Sequence, residues 1–99
     1  MEIIKNLEGE KLLVKLVGRL DSVTAPELEE SLKGELENAK EVEFDFSDLE
    51  YISSAGLRIL LATQRTMSKQ EGEMSVCGCN DTILEIFEVT GFSDIFTIK

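Results

Sequence analysis

The 99-residue sequence predicts a mixed α/β fold, in which an N-terminal β-hairpin is followed by alternating helices and strands. In some segments apolar residues recur at every second position, as in half-buried strands, and between them at every third or fourth, as in amphipathic helices. No linker, repeat or low-complexity tract interrupts this order. Such alternation favours a largely parallel sheet with right-handed helical crossovers, so we predict one domain spanning residues 1–99.

The first two strands form the predicted hairpin. The segment Lys11–Leu20 alternates, with Lys15 and Arg19 on its polar face. Its apolar face comprises Leu12, Val14, Leu16 and Leu20. Glu2–Leu7 precedes this strand, and Glu8-Gly9-Glu10 provides the turn between the two.

Helix one is predicted to begin at Thr24 and to end at about Asn38. Thr24 suits the N-cap, Pro26 suits the first turn, and Glu27 stands at the capping-box distance. One apolar stripe follows, made of Leu28, Leu32, Leu36 and Ala39. Its spacings of four, four and three residues predict a helix with one buried face and its glutamates outside.

The rest of the chain continues the alternation. Strand Glu41–Phe46 has its valine and phenylalanines on one face, and the second helix runs from the serines at 53 and 54 to about Lys69. The remaining elements are a strand at Glu73–Cys77, a third helix with Asn80, Asp81 or Thr82 as its cap and Gly91 at its end, and a short strand at Ile95–Ile98. Thr82 and Glu85 also have capping-box spacing.

Charge and hydropathy exclude several classes of function. The chain has 20 acidic and 10 basic residues, a net charge of -10, and no basic cluster. Nucleic acids and anionic membranes are bound through Lys and Arg, so neither is an expected partner. The longest apolar stretch, residues 59–62, is far shorter than the roughly 20 residues that cross a bilayer, and the N-terminus lacks a signal-peptide layout. We therefore expect a cytoplasmic protein.

The two cysteines offer neither a disulfide nor a metal site. Cys77 and Cys79 lie two residues apart in a predicted strand, where their side chains would share a face about 6.5 to 7 Å apart, which is awkward for a disulfide. Two thiols without any histidine fall short of the four ligands of a zinc site. We expect reduced thiols, no bound metal and no cofactor.

A pair of serines at the start of helix two is the candidate functional feature. Ser53 and Ser54 stand where backbone N–H groups lack intrahelical partners and the helix dipole is positive. Either serine can simply cap the helix. A capping serine can also accept a phosphate, whose oxygens would lie near free N–H donors, so the two roles are compatible.

The sequence around these serines resembles the signature of STAS domains, in particular bacterial anti-sigma factor antagonists. The resemblance lies in FDFSDLEYISSAGLRIL at residues 44–60 and in GRLD at residues 18–21, which precedes APEL at residues 25–28. It covers essentially the whole chain, in the order and length of the family. It implies a STAS fold with the hairpin first.

The resemblance also implies a partner-switching cycle. The unphosphorylated antagonist binds an anti-sigma factor that is also a serine kinase, which frees the sigma factor. Phosphorylation expels the antagonist, and a serine phosphatase resets it. On the matching positions Ser54 is the phosphate acceptor, and Asp21 belongs to the partner-binding surface. The other residues of that surface are Ser53, Ser54, Ala55, Gly56, Leu57 and Arg58.

Two positions depart from the family pattern. Ser53 replaces an aspartate that is frequent before the acceptor, and Ala55 replaces a following serine or threonine. Ser53 therefore stays an alternative acceptor, and an unswitched STAS interaction module in a signalling scaffold or a transport-associated complex stays an alternative function. Asp21 has a plain alternative as well, because aspartate is common at turns and helix entries.

Two other classes of function fit the residues less well. A serine at a strand-to-helix turn resembles the nucleophile elbow of α/β hydrolases, but there is no histidine to act as base and no Gly-x-Ser-x-Gly spacing. Asp45 or Asp48 could be the acceptor of a phospho-aspartate receiver, but the paired acids that would hold Mg²⁺ are absent. We expect both aspartates to be solvated or turn-forming, and no catalytic residue is predicted.

Overall fold

The computed structural model describes residues 1–99 as a five-stranded sheet with helices between its parallel strands. The strands are β1 (Glu2–Glu8), β2 (Lys11–Leu20), β3 (Glu41–Ile52), β4 (Glu73–Cys77) and β5 (Thr97–Ile98). The helices are α1 (Ala25–Leu32), α2 (Ser54–Lys69) and α3 (Asp81–Thr90), with a short 3₁₀ turn at Phe92–Asp94. This confirms the predicted mixed, largely parallel α/β fold.

The strands lie side by side in chain order, β1-β2-β3-β4-β5. Strands β1 and β2 are antiparallel, which confirms the N-terminal hairpin, and every later pair is parallel. Each crossover moves one strand in the same direction, so right-handed connections place all three helices on one face of the sheet. The core lies between that face and the helices.

The predicted alternation of β2 is confirmed, since its four apolar-face residues are all buried. Strand β3 is longer than predicted, because it continues past Phe46 to Ile52. Its pairing with β2 shifts twice: Lys15 pairs with Asp45 while Val17 pairs with Asp48, and a second shift follows at Gly18. After each bulge, successive buried residues of β3 stand three positions apart instead of two. The two-residue alternation that predicts a strand therefore stops before the strand itself ends.

Helix one is shorter than predicted: it ends at Leu32, not near Asn38. Lys33 leaves the helical path with ψ 127°, and Gly34 follows with a left-handed φ of +75°, which turns the chain away from the helix. Leu36 and Ala39 still pack on the core, but from a loop. The Gln70 side-chain amide donates hydrogen bonds to the carbonyls of both residues and fixes that loop against the end of α2.

Helices two and three have the predicted ends. Helix α2 ends at Lys69, and α3 is capped by Asn80, whose Oδ1 accepts a hydrogen bond from the Ile83 N–H at 2.8 Å. Gly91 ends α3 with φ +82°. Strand β5 is shorter than expected, because the N–H groups of Ile95 and Phe96 both donate to the Phe92 carbonyl and so belong to the turn before the strand. None of the helices has the length and apolar character needed to cross a bilayer.

The expectation that the two cysteines share one strand face is wrong. Strand β4 ends at Cys77, and Gly78 then turns the chain with φ +72° before Cys79. A Cβ on Gly78 would lie 2.9 Å from the Ser47 backbone nitrogen, so this turn packs tightly against β3. Both thiols are unpaired, and burial raises the pKa of each to about 11.

Candidate functional site

Three loops meet at the carboxyl edge of the sheet, where parallel α/β proteins place their functional groups. The loop after β2 is joined to the start of α2, because the Ser53 N–H donates to the Leu20 carbonyl at 2.8 Å. The loop after β4 is joined to β3, because the Asn80 side-chain amide donates to the carbonyls of Leu49 and Glu50 at 3.2 and 3.3 Å. These bonds hold the serine pair within a rigid edge.

Ser54 is the first residue of α2 and is exposed to solvent, as predicted. Ser53 stands before it with extended backbone (φ -99°, ψ 175°), and its carbonyl accepts the first helical hydrogen bond, from Leu57. No side chain caps this end of α2, and its first turn contains no acidic residue. The positive end of the helix dipole is therefore uncompensated beside the Ser54 hydroxyl.

The two serines differ in accessibility. The Ser53 hydroxyl oxygen is buried and has no hydrogen-bond partner, whereas the Ser54 side chain is exposed. A phosphate on Ser53 would have to be accommodated where its own hydroxyl is already shielded from water, which is costly for a charged group. Ser54 is the more accessible acceptor of the two.

The residues after Ser54 divide into a packing face and a surface face. Gly56 is buried so closely that a Cβ there would lie 2.6 Å from Leu20 Cγ, and Leu57 is only 6% exposed. Ala55 is half-buried and Arg58 is exposed. The guanidinium of Arg58 takes part in none of the molecule's ion pairs.

Thr24 is the N-cap residue of α1, as predicted, but its side chain makes no capping hydrogen bond, so the predicted capping box of Thr24 and Glu27 is not formed. Asp21 instead caps the turn that leads into the helix. Asp21 Oδ1 accepts from the Thr24 N–H at 3.1 Å, and Thr24 Oγ1 accepts from the Asp21 N–H at 2.8 Å. This reciprocal pair is a capping box set three residues earlier than predicted. The Asp21 carbonyl also accepts from the Ala25 N–H at 2.8 Å, so the helical path already begins at Asp21.

The Asp21 carboxylate is consequently engaged by its own loop. It accepts from the Val23 N–H at 3.0 Å as well as from Thr24, and these hydrogen bonds, the Thr24 backbone bond foremost, lower the pKa of Asp21 below its ordinary value. Arg19 Nε lies 3.9 Å from Asp21 Oδ2. These contacts are those of an aspartate at the entry to a helix, which is the plain alternative stated for Asp21.

Sequence reasoning missed three residues beside this loop. The guanidinium of Arg19 lies over the Tyr51 ring, 4.9 Å from its centroid. Val23 is 78% exposed although it is apolar. A valine between polar residues in a predicted turn was the one available signal, whereas the Arg19–Tyr51 contact depends on a strand register that no local pattern contains.

The Ser54 hydroxyl and the carboxylates near it have few side-chain contacts with one another. No side chain hydrogen-bonds the Ser54 hydroxyl in the structure, and the chain has no histidine to act as its base. Asp45 Oδ1 accepts from the Ser47 N–H at 2.9 Å, and Asp48 pairs with Lys15 at 3.0 Å, as expected of turn-forming and solvated carboxylates. No cluster of three potential metal ligands is formed.

Both the sequence and the fold are similar to those of known proteins. The model of the STAS domain family matches residues 1–99. The anti-sigma-B factor antagonist of Listeria monocytogenes is 29% identical over 99 residues, covering 97% of this chain and 85% of the relative. An anti-sigma factor antagonist from Mycobacterium paratuberculosis is 26% identical, with a TM-score of 0.87 over 98% of this chain and 83% of that structure.

A more distant structure shares the fold. The anti-sigma factor antagonist SpoIIAA, a Bacillus cell fate determinant, has been solved in unphosphorylated and phosphorylated forms. Both are 15% identical to this chain and cover 99% of it, with TM-scores of 0.79 and 0.78 over 87% and 91% of those chains.

Proposed function

This chain belongs to the STAS domain family, and on that basis we propose that it is a cytoplasmic anti-sigma factor antagonist controlled by phosphorylation of Ser54. Unphosphorylated, it binds an anti-sigma factor that is also a serine kinase, and the sigma factor is freed. Phosphorylated, it is released until a serine phosphatase removes the phosphate. It acts as a binding module and does not catalyse a reaction.

The exposed Ser54 at the uncapped start of α2 carries this proposal. A kinase must reach the acceptor hydroxyl, and Ser54 offers one in the first turn of a helix fixed against the sheet. The free N–H groups and positive dipole of that turn favour a phosphate, so modification need not disrupt the helix. The buried Ser53 hydroxyl supports Ser54 over its neighbour as the acceptor.

The switch is energetically reasonable. A phosphate adds about -1.5 to -2 charge at pH 7, a small change for a chain of net charge -10 but a large one at a single point of a desolvated interface. Each 1.4 kcal/mol lost there weakens binding tenfold, so a penalty of about 3 kcal/mol would release the partner. A buried, unpaired charge supplies a penalty of that order.

The relatives support the same role. The Listeria monocytogenes relative is named an anti-sigma-B factor antagonist, and it aligns with almost the whole chain. The fold of SpoIIAA is similar to that of this chain to nearly the same degree in its phosphorylated and unphosphorylated forms. That pair supports a switch in which the phosphate alters the surface and leaves the fold in place.

The test is phosphorylation and binding with purified components. Each anti-sigma factor kinase of the source genome is incubated with the chain and ATP, and we expect one of them to add a single phosphate to Ser54, located by mass spectrometry. Ser54→Ala should bind that kinase constitutively. Ser54→Asp should bind it at least tenfold more weakly and unfold at nearly the wild-type temperature.

Ser53→Ala is the matched control, since it removes the neighbouring hydroxyl and should leave phosphorylation unchanged. Phosphate on Ser53, or full-affinity binding by Ser54→Asp, would refute the assignment of Ser54. The departures from the family pattern at Ser53 and Ala55 favour one alternative in that case. The chain would then be an unswitched STAS interaction module in a signalling scaffold or a transport-associated complex.

A further inference from the structure

Val23 combines exposure with a fixed position. It lies in the loop between β2 and α1, where its apolar side chain is 78% exposed. Exposure alone decides nothing, because isolated apolar residues are common on protein surfaces and Val89 on α3 is 76% exposed. What distinguishes Val23 is the structure that holds it and the groups around it.

The loop carrying Val23 is held by side-chain hydrogen bonds on both sides. The Val23 N–H donates to Asp21 Oδ1 at 3.0 Å, and the following N–H of Thr24 donates to the same oxygen. Thr24 Oγ1 accepts from the Asp21 N–H and donates to the Arg19 carbonyl, both at 2.8 Å. The side chain of Val23 is therefore presented from an ordered backbone, which lowers the entropy lost when it is buried by a partner.

An arginine and a tyrosine, residues typical of interface centres, lie on the strands that end beside the loop of Val23. The Arg19–Tyr51 pair lies at the end of the strand leading into this loop, and arginine and tyrosine are enriched among residues that dominate binding energy. The loop joins the start of α2 through the bond from the Ser53 N–H to the Leu20 carbonyl. The apolar side chain thus lies on the same sheet edge as the Ser54 hydroxyl.

We infer that Val23 is an anchor of the partner interface, inserting into an apolar recess of the anti-sigma factor kinase. Asp21 and Thr24 are positioning residues, because their hydrogen bonds fix the loop while the Asp21 carboxylate oxygen is turned toward backbone N–H groups. The inference rests on the proposed function. It assigns the partner contact of this loop to Val23, and it gives Asp21 the structural role of holding the loop in place.

The experiment compares two equally exposed valines. Val23→Ser and Val89→Ser each remove an apolar surface side chain, but Val89 lies in the last turn of α3, at the opposite edge of the sheet. The probe is the purified kinase that phosphorylates the wild-type chain, with its affinity for each variant measured by isothermal titration calorimetry. We expect Val23→Ser to weaken binding at least tenfold and Val89→Ser to change it less than twofold.

A second pair of variants tests whether Asp21 acts by fixing the loop through its hydrogen bonds or by its negative charge. Asp21→Asn keeps an oxygen that can accept both N–H groups, so it should retain binding within about threefold, since asparagine and aspartate cap helices about equally well. Asp21→Ala loses the acceptor and should weaken binding at least tenfold. Circular dichroism melts check that each variant is folded, and a photo-crosslinking residue at position 23 should capture the kinase while one at position 89 should not.

The outcomes distinguish this inference from the proposed function. If Ser54→Asp weakens binding but Val23→Ser binds like wild type, the anchor is refuted while the switch stands. If Asp21→Asn loses as much affinity as Asp21→Ala, the aspartate acts through its charge and its positioning role is wrong. If no kinase of the source genome binds the wild-type chain, the proposed function itself fails.

Discussion

Gly56 is the residue through which the packing of α2 can be tested most directly. A Cβ at this position would lie 2.6 and 2.9 Å from Leu20 Cγ and Cδ2, and 3.0 Å from Ile52 Cγ1. The optimal separation of two carbons is about 3.5 to 4.0 Å, so the nearest contact is short by roughly 1 Å. Leu20 and Ile52 are fully buried, so a shift of either side chain would disturb its neighbours in the core.

Gly56→Ala therefore sets two effects against each other. Alanine in a helix gains about 1 kcal/mol over glycine, whereas overpacking a filled core costs about 1 to 3 kcal/mol. We expect a net loss of about 1 kcal/mol in the free energy of unfolding, which corresponds to about 4 to 8 °C in the melting temperature of a domain this size. Urea denaturation followed by circular dichroism measures it.

The matched control is Ser68→Ala, an exposed position near the end of the same helix. It should be neutral or slightly stabilising, because only helix propensity changes there. A Gly56→Ala protein that is more stable than wild type would show that α2 does not approach the sheet as closely as described.

Two further predictions concern stability. Leu32→Ala should cost about 2 to 5 kcal/mol because Leu32 is buried in α1, while the exposed Glu29→Ala should stay within about 0.5; equal effects in denaturant melts would contradict the assigned buried face. The hydrogen bond with Lys11, supported by Lys99, lowers the pKa of Glu43 below its ordinary value of 4.5, so its stabilising contribution is full above pH 4.5 and is lost as the pH falls through the folded-state pKa. Glu43→Gln should therefore be more destabilising at pH 7 than at pH 3 in urea melts, and an equal effect at both would refute the pairing.

Where local pattern and tertiary packing coincide, the sequence predicted the fold closely. The boundaries of β2 and β4 agree with the structure: β2 presents an alternating face to the helices, and β4 is a short run of buried residues. The end of β3 was missed because its bulges replace the two-residue period. Helix one was drawn too long because Leu36 and Ala39 are buried at helical spacing from a loop, and spacing alone cannot distinguish the two.

At the site, too, some features could be predicted from the local sequence and others depend on tertiary packing. The exposure of Ser54 followed from an apolar stripe that begins only at Leu57. The burial of the Ser53 hydroxyl did not, since it depends on the contact between the start of α2 and the end of β2. The capping role of Asp21 was hidden because Thr24, Pro26 and Glu27 form an equally good local signal three residues later.

The placement of Ser54 favours a switch that acts on the surface and not on the fold. The groups that hold this end of α2, Gly56 and Leu57 against the ends of the central strands, are buried on the side of the helix away from the acceptor. A phosphate on Ser54 would meet solvent, unpaired N–H groups and the unengaged guanidinium of Arg58 one turn later, all of which tolerate negative charge. Its cost would therefore arise only when a partner covers this edge and removes the water, so the same modification would leave the melting temperature nearly unchanged and abolish binding.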